Sequence, residues 1–156
     1  MWKTGHSLIK QKVKDENAPF GGELSGHIFF NDRNYGYDDA LYAGLRVLEV
    51  LKAENKTFSE IIADLPKSYF TPEIRIDTTE EKKILIVEAI KKRFENGVAG
   101  ANVNTLDGIR VEFEDGWFLA RPSNTQPVVV LRFESLSEAG LKKMQTEIEA
   151  IVNPLL

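Results

Sequence analysis

Two short polar segments of the sequence carry residue types suited to binding chemistry. The first, Gly21-Gly22-Glu23-Leu24-Ser25-Gly26-His27, alternates functional and neutral positions. Read as extended chain, it places Glu23, Ser25 and His27 on one side, because side chains two apart share a face. A carboxylate that accepts from two hydroxyls, a hydroxyl that donates and accepts, and an imidazole suit a polyol better than an apolar ligand. The flanking glycines let a ligand approach the backbone closely. The plainer alternative is a glycine-rich turn with solvated polar residues leading into a strand. The second segment, Arg121-Pro122-Ser123-Asn124-Thr125-Gln126-Pro127, offers a forked cation, hydroxyls, an amide and backbone N–H groups. A guanidinium grips a phosphate through two parallel hydrogen bonds, and successive N–H groups of a turn form a concave anion site. Pro122 and Pro127 stiffen this loop. Hydrogen bonds to charged groups contribute roughly 1.5–3 kcal/mol each, so a few of them could hold a phosphate monoester despite desolvation. An ordinary polar hairpin loop is the alternative here.

Other chemistry is hard to build from this chain. The absence of Cys removes disulfides, thiolate metal sites and a cysteine nucleophile. Neither a P-loop nor a G-x-S-x-G elbow occurs. His6 and His27 lack zinc-ligand spacing. Asp38-Asp39 could take a divalent ion, although adjacent acids opening a helix more often serve its dipole. No nucleophile stands with a base. A net charge of −4 and a pI near 5.3 argue against nucleic acid, as does the lack of an aromatic RNP1-like strand. No apolar run is long enough to cross a membrane, and Met1–Lys12 does not read as a signal peptide. A soluble cytoplasmic protein is the expectation.

The 156 residues correspond to one domain or two small ones. Residues 4–17 carry Leu8, Ile9 and Val13 among lysines, which predicts a short amphipathic helix. Pro19 and Gly21-Gly22 open a loop, and Ile28-Phe29-Phe30 reads as a buried strand. Asn31 to Tyr37 is turn chemistry. Leu41, Leu45, Leu48 and Leu51, with Val47, form a helical stripe. Thr57 and Glu60 have capping-box spacing for a helix over residues 58–63. Pro66 and Pro72 then bracket a boundary. Beyond it the spacing predicts a strand at 73–77, then a helix capped at Thr78 with stripe Ile84, Val87, Ile90 and Phe94. Residues 102–106 are extended, and Ile109, Val111 and Phe113 alternate with polar partners. Asp115-Gly116 is a preferred two-residue hairpin dipeptide, with Trp117–Ala120 and Val128–Glu134 as returning strands. Ser135 and Glu138 open a last helix with stripe Leu141, Met144, Ile148 and Ile151. This is a partial mixed α/β domain followed by a small α+β sandwich of antiparallel strands and two helices.

Taken together, Lys3-Thr4-Gly5-His6-Ser7-Leu8-Ile9-Lys10, Gly22-Glu23-Leu24-Ser25-Gly26-His27-Ile28-Phe29-Phe30, Thr71-Pro72-Glu73-Ile74, Thr105-Leu106-Asp107-Gly108 and Arg121-Pro122-Ser123-Asn124-Thr125 occur in one order along nearly the whole chain. In that order they resemble the C-terminal part of the α-D-phosphohexomutase superfamily, closest to its bacterial phosphomannomutase/phosphoglucomutase branch. The resemblance implies the end of a third domain over residues 1–68, bearing the sugar-binding loop. It implies a fourth, phosphate-binding domain over residues 69–156, of the TATA-box-binding-protein-like kind. Glu23 and Ser25 would grip sugar hydroxyls, His27 would lie near the transferring phosphate with a possible proton-transfer role, and His6 would face the substrate. Arg121, Ser123, Asn124 and Thr125 would hold the phosphate that is not reacting. Leu24 and Asn124 favour this branch over phosphoglucosamine mutases, which usually carry Gln and Gly at the corresponding places.

The resemblance also marks what this stretch lacks. The superfamily's phosphorylated serine and its D-x-D-x-D magnesium loop belong to earlier domains. The chain would therefore be a fragment beginning inside a domain, not catalytic alone. The parent enzyme would interconvert hexose 1- and 6-phosphates, using Mg2+ and a hexose 1,6-bisphosphate activator, neither bound by this fragment's own residues. Closure of the fourth domain about a Pro66–Pro72 hinge would exclude water. A stand-alone phosphosugar-binding module is the alternative. Partners would be a phosphohexose and the enzyme's N-terminal domains, and an incomplete sheet would leave an exposed edge through which the chain could oligomerise.

Overall fold

Capping side chains and glycines set the element boundaries in a computed structural model that describes residues 1–156 and divides into two compact units, Met1–Pro66 and Lys67–Leu156. No helix is long and apolar enough to cross a membrane.

The first unit contains α1 (His6–Asp15), β1 (Phe20–Gly22), β2 (Ile28–Phe30), α2 (Ala40–Glu54) and α3 (Phe58–Ala63). Thr57 and Glu60 form the expected capping box of α3, and Asp39 caps α2 by accepting from the Tyr42 N–H at 2.9 Å. The Gly21-Gly22 pair is strand rather than loop. It pairs antiparallel with β2, Gly21 opposite Phe29 and Gly22 opposite Ile28. Of the run Ile28-Phe29-Phe30, only Phe29 is fully buried. The turn after β2 is held by Arg46, which bonds Asp32 at 2.9 Å and lies 4.4 Å over the Phe30 ring. That guanidinium holds the Asp32 carboxyl down at about 2.

The leucine stripe of α2 does not form a core within this unit. Leu41, Leu45 and Leu48 are 85%, 64% and 60% exposed, and Ala43 is the buried residue of the helix. The helical period was legible, but a period cannot say what covers the stripe.

The second unit holds β3 (Tyr69–Phe70), β4 (Ile74–Asp77), α4 (Glu80–Phe94), β5 (Asn102–Asn104), β6 (Ile109–Phe113), β7 (Gly116–Pro122), β8 (Val128–Ser135) and α5 (Glu138–Val152). The strands form one antiparallel sheet in the order β3-β8-β7-β6-β5, with β4 also paired to β8. β3 and β4 are thus two pieces of one edge, interrupted at Thr71-Pro72-Glu73. Pro72 cannot donate to a ladder. Thr71 bridges the gap, its N–H donating to the Phe133 carbonyl at 3.0 Å and its hydroxyl accepting from the Phe133 N–H at 3.2 Å. The strand expected at 73–77 is β4, and the piece the sequence did not foresee is β3 at Tyr69–Phe70 on the same edge.

Helices α4 and α5 pack on one face, where Ile86, Val87, Ile90, Phe94, Phe118, Phe133, Met144 and Ile148 make the core. Ile84 lies outside it, 48% exposed, and Ile86 takes the buried place. The caps also differ from the spacing rule. Thr79 caps α4 and Ser137 caps α5, accepting from the Lys82 and Gly140 N–H groups. Strand pairing claims the residues the spacing chose: the Thr78 N–H donates to the Pro127 carbonyl, and the Ser135 hydroxyl, inside β8, donates to the Asp115 carbonyl. The hairpin before β7 turns on Glu114-Asp115 with Phe113 opposite Gly116, and neither Asp115 nor Gly116 has positive φ. Glycine is needed at 116 for space instead, since a Cβ would fall 2.9 Å from the Ser135 Cα, and closer still to the Glu134 carbonyl oxygen.

These burial differences give unequal mutational costs. Leu45→Ser in α2 is expected to change stability by no more than about 0.5 kcal/mol, as for exposed sites. Ile148→Ala in α5 is expected to cost about 2–5 kcal/mol, the usual range for a filled core position. Urea denaturation of the two variants checks this, and a large cost for Leu45→Ser would mean the stripe is covered in solution.

Candidate functional site

The segment Glu23–His27 is a tight turn joining β1 to β2, not extended chain. The Glu23 N–H donates to the His27 carbonyl at 2.9 Å and the Gly26 N–H to the Glu23 carbonyl at 3.0 Å. Gly26 has φ +95°, a conformation that favours glycine. Alternation therefore does not place Glu23, Ser25 and His27 on a common face; hydrogen bonds position two of them instead. Glu23 Oε1 accepts from the Gly5 N–H at 2.8 Å, which ties the turn to the start of α1. The His6 and His27 rings come within 5.5 Å of one another, centroid to centroid. Ser25 and Leu24 lie at the exposed tip, and the Ser25 hydroxyl makes no internal hydrogen bond.

His27 Nδ1 meets Asp38 Oδ2 at 2.6 Å, while Asp38 Oδ1 accepts from the Ile28 N–H at 3.0 Å. The hydrogen bond to Asp38, reinforced by the charges of Asp38 and Glu23, raises the His27 imidazole above its ordinary range. The same bond from His27, together with the Ile28 N–H, holds Asp38 below the ordinary carboxylate value. With Nδ1 committed to Asp38, His27 has Nε2 left for a ligand. An open depression of about 640 Å3 lies beside this cluster, lined by His6, Lys10, Lys14, Tyr37 and Asp38 among others. The two lysines follow His6 at four-residue steps along α1, a basic stripe suited to an anion.

Asp38 is the residue that sequence reasoning missed as a partner of His27. Its signal was the pair of adjacent acids, one more than a helix cap requires. Both are committed, Asp39 to the α2 N-terminus and Asp38 to His27 and Ile28. Nor do three His, Asp or Glu side chains of the chain converge in an arrangement that could hold a metal ion. These donors do not fit a Mg2+ ion, which takes near-octahedral oxygen coordination through one or two free carboxylates.

In the second unit, Arg121 and Pro122 belong to β7, so the loop proper is Ser123–Pro127. Arg121 lies opposite Val130, as does Arg75, on the sheet face away from α4 and α5. On that face Arg75 and Arg110 have acidic partners, Glu73 and Glu112. Arg121 has none, and the side chains of Asn124 and Thr125 are likewise exposed and without internal bonds. Ser123 differs from its neighbours: it is buried, and its hydroxyl oxygen accepts from the Thr125 and Gln126 N–H groups at 3.3 Å each. One hydroxyl hydrogen remains to it.

The loop is braced from several sides. The Ser123 N–H donates to the Val128 carbonyl at 2.9 Å. Lys83, buried in α4, donates to the Ser123 carbonyl at 2.8 Å and the Gln126 carbonyl at 3.2 Å. Lys83 was missed in the sequence, although it extends the stripe Val87, Ile90 and Phe94 backwards by one turn and so stands on the buried face. Gly108 (φ +75°) ends the Thr105–Gly108 turn against the root of Arg121, where a Cβ would fall 2.6 Å from the Arg121 Cβ.

Residues 1–69 match the family description "Phosphoglucomutase/phosphomannomutase, alpha/beta/alpha domain III", and residues 73–151 match "Phosphoglucomutase/phosphomannomutase, C-terminal domain". A phosphomannomutase/phosphoglucomutase of Pseudomonas aeruginosa is 45% identical over 146 residues, covering 94% of this chain and 31% of that protein. A phosphoglucomutase of Neisseria meningitidis serogroup A is 44% identical, covering 100% of this chain and 34% of that protein. The crystal structure of a phosphoglucomutase/phosphomannomutase family protein from Burkholderia thailandensis superposes with a TM-score of 0.85 at 43% identity, covering 99% of this chain and 32% of that one. The chain thus spans about a third of the length of these relatives. Both stretches match in family order at this identity, and the chain belongs to the phosphoglucomutase/phosphomannomutase family, of which it carries the C-terminal part.

Proposed function

We propose that this chain supplies the sugar-reading and phosphate-holding parts of a phosphohexomutase. The whole enzyme would interconvert the 1- and 6-phosphates of mannose or glucose through a 1,6-bisphosphate. The observation that carries this reading is the uncommitted set Arg121, at the end of β7, with Asn124 and Thr125 on the adjoining loop, which is tied down by bonds to Lys83 and the Ser123 hydroxyl. A cation and neutral donors without internal partners, held on a fixed frame, are complementary to a phosphate monoester. The names of the relatives support the substrate class.

In this mechanism Arg121 binds the phosphate that does not react, with Asn124, Thr125 and the hydroxyl hydrogen of Ser123. Glu23 and Ser25 read sugar hydroxyls. His6 faces the substrate beside His27. Asp38 holds the His27 imidazole by Nδ1, so that Nε2 can give or take a proton where a sugar hydroxyl meets the transferring phosphoryl group. The phosphoryl donor, a phosphoserine, and the Mg2+ site would belong to the N-terminal part of the enzyme, since the adjacent acids of this chain, Asp38 and Asp39, are both committed to internal partners. On this reading residues 1–68 are the end of a third domain and residues 69–156 the fourth. The chain alone binds a phosphohexose without turning it over, and activity requires the N-terminal domains.

Titrating the chain with mannose 1-phosphate or glucose 1-phosphate by calorimetry tests the assignment. Arg121→Ala is expected to weaken binding roughly 10- to 100-fold, the equivalent of one hydrogen-bonded charge pair. Unchanged affinity would remove the phosphate role of this loop.

The His27–Asp38 pair makes a second expectation, with a definite sign. A raised imidazole contributes stability that is fully present below its unfolded value of 6.5 and is lost as pH rises through the higher folded value. A lowered carboxyl contributes stability present above its unfolded value of 3.8 and lost as pH falls through the lower folded one. The stability difference between the chain and Asp38→Asn should therefore be largest between those two values and shrink on either side. NMR titration should also show the His27 pKa falling in Asp38→Asn, and a flat difference with an unmoved imidazole would contradict the pairing.

A further inference from the structure

Lys83 is 6% exposed, on the face of α4 that also buries Ile86 and Val87. Burying an ammonium is costly unless its donors are matched. Lys83 has three donor hydrogens and three partners: the Ser123 carbonyl at 2.8 Å, the Gln126 carbonyl at 3.2 Å and the Glu80 carboxylate at 2.7 Å. Two of the three are main-chain oxygens from the two ends of one loop. A purely structural lysine needs no such targets, since its salt bridge to Glu80 could form at the surface, where that carboxylate is 63% exposed.

The choice of carbonyls has a geometric consequence. In a trans peptide the C=O of one residue and the N–H of the next point to opposite sides of the chain. Drawing the Ser123 oxygen toward α4 therefore turns the Asn124 N–H away from α4. No internal acceptor takes that N–H. The Gln126 oxygen belongs to the peptide of Pro127, which has no N–H to aim, so the second bond fixes the far end of the loop without consuming a donor. Between them, the Thr125 and Gln126 N–H groups turn to the Ser123 hydroxyl.

We propose that Lys83 is a positioning residue for phosphate binding. It clamps the Ser123 and Gln126 carbonyls, aims the Asn124 N–H at the anion and preorganises the loop that presents Asn124 and Thr125. This rests on the reading of that loop as a phosphate site and adds to it a residue that does not touch the ligand.

The test titrates inorganic phosphate into the full chain and follows the 15N–1H signals of Asn124, Thr125 and Gln126. Wild type, Lys83→Met, Lys83→Arg and Arg121→Ala are compared well below their melting temperatures. Lys83→Met should raise the phosphate Kd at least tenfold and remove the Asn124 response. Lys83→Arg, which can still donate to two carbonyls, should stay within about threefold of wild type. Should wild type bind and Arg121→Ala lose binding while Lys83→Met binds as wild type, the inference falls and the phosphate reading stands. A Lys83→Met protein that is less stable but keeps its Kd likewise overturns the inference alone. Wild type without any phosphate response overturns both. If Lys83→Met does not fold, the Lys83 ammonium signal of wild type decides: it should shift in step with the loop amides, and an unmoved signal refutes the clamp.

Discussion

The hydrogen-bonded ladder between β7 and β8 sets the position of every donor in the second unit's polar loop. Its register runs from Gly116 opposite Ser135 to Pro122 opposite Val129, and the loop closes its far end. Because side chains alternate with a period of two, a slip by one residue would turn Arg121 into the core and Ala120 out of it. The register is fixed by what lies at the other positions. Phe118 and Ala120 on β7, and Val129, Leu131 and Phe133 on β8, are buried against α4 and α5. Apolar packing at these positions is thus what holds the Arg121 guanidinium on the opposite face. Two glycines sharpen the arrangement: Gly116 lets β7 lie close to β8, and Gly108 lets the preceding turn abut Arg121.

The first unit achieves position by other means. It has little core of its own, and its strands are short. Polar ties take the place of packing. Glu23 fastens the turn to α1 through the Gly5 N–H, Asp38 fastens His27 and the start of β2, and Asn31 Nδ2 donates to the Ala18 carbonyl at 3.2 Å. These groups are partly exposed, so each tie contributes less than a buried one would. Together they fix which atoms face outward. His27 is oriented by Asp38 as a metal-free imidazole often is by a carboxylate, with one nitrogen spoken for and the other presented.

The helices and most strands were legible in the sequence because period and composition act locally. The failures have a common physical origin in tertiary competition for a polar group. Thr78 and Ser135 sit at capping distance from Glu81 and Glu138, but strand pairing takes them first, so Thr79 and Ser137 cap instead. Asp115-Gly116 has hairpin composition, yet the β6–β7 register centres the turn one residue earlier. The alternation in Glu23–His27 was real in sequence and absent in space, because Gly26 lets the chain turn back within those residues. Of the residues proposed to bind, Arg121, Asn124 and Thr125 were readable from type and clustering. Lys83 and Asp38 were not, since each acts through a partner 40 or 11 residues away, and no local pattern carries such a pairing.

On the proposed function, the contrast between the two loops bears on what each would contribute to holding a phosphohexose. Ordering a flexible segment on binding costs free energy that must come out of the contacts made. Ser123–Pro127 has been ordered already: its Ser123 and Gln126 carbonyls are bonded, the Ser123 hydroxyl oxygen accepts two N–H groups, and prolines flank it before a ligand arrives. The turn at Glu23–His27 leaves Leu24 and Ser25 at an exposed tip. Contacts to phosphate are also charge-assisted, and so stronger than those between neutral hydroxyls. Both considerations point the same way. The phosphate loop would provide most of the affinity, and the turn, with His27 held by Asp38, would discriminate among sugars at modest cost in binding. A division of that kind suits a ligand whose charged end is invariant while its hydroxyls differ from one hexose to the next.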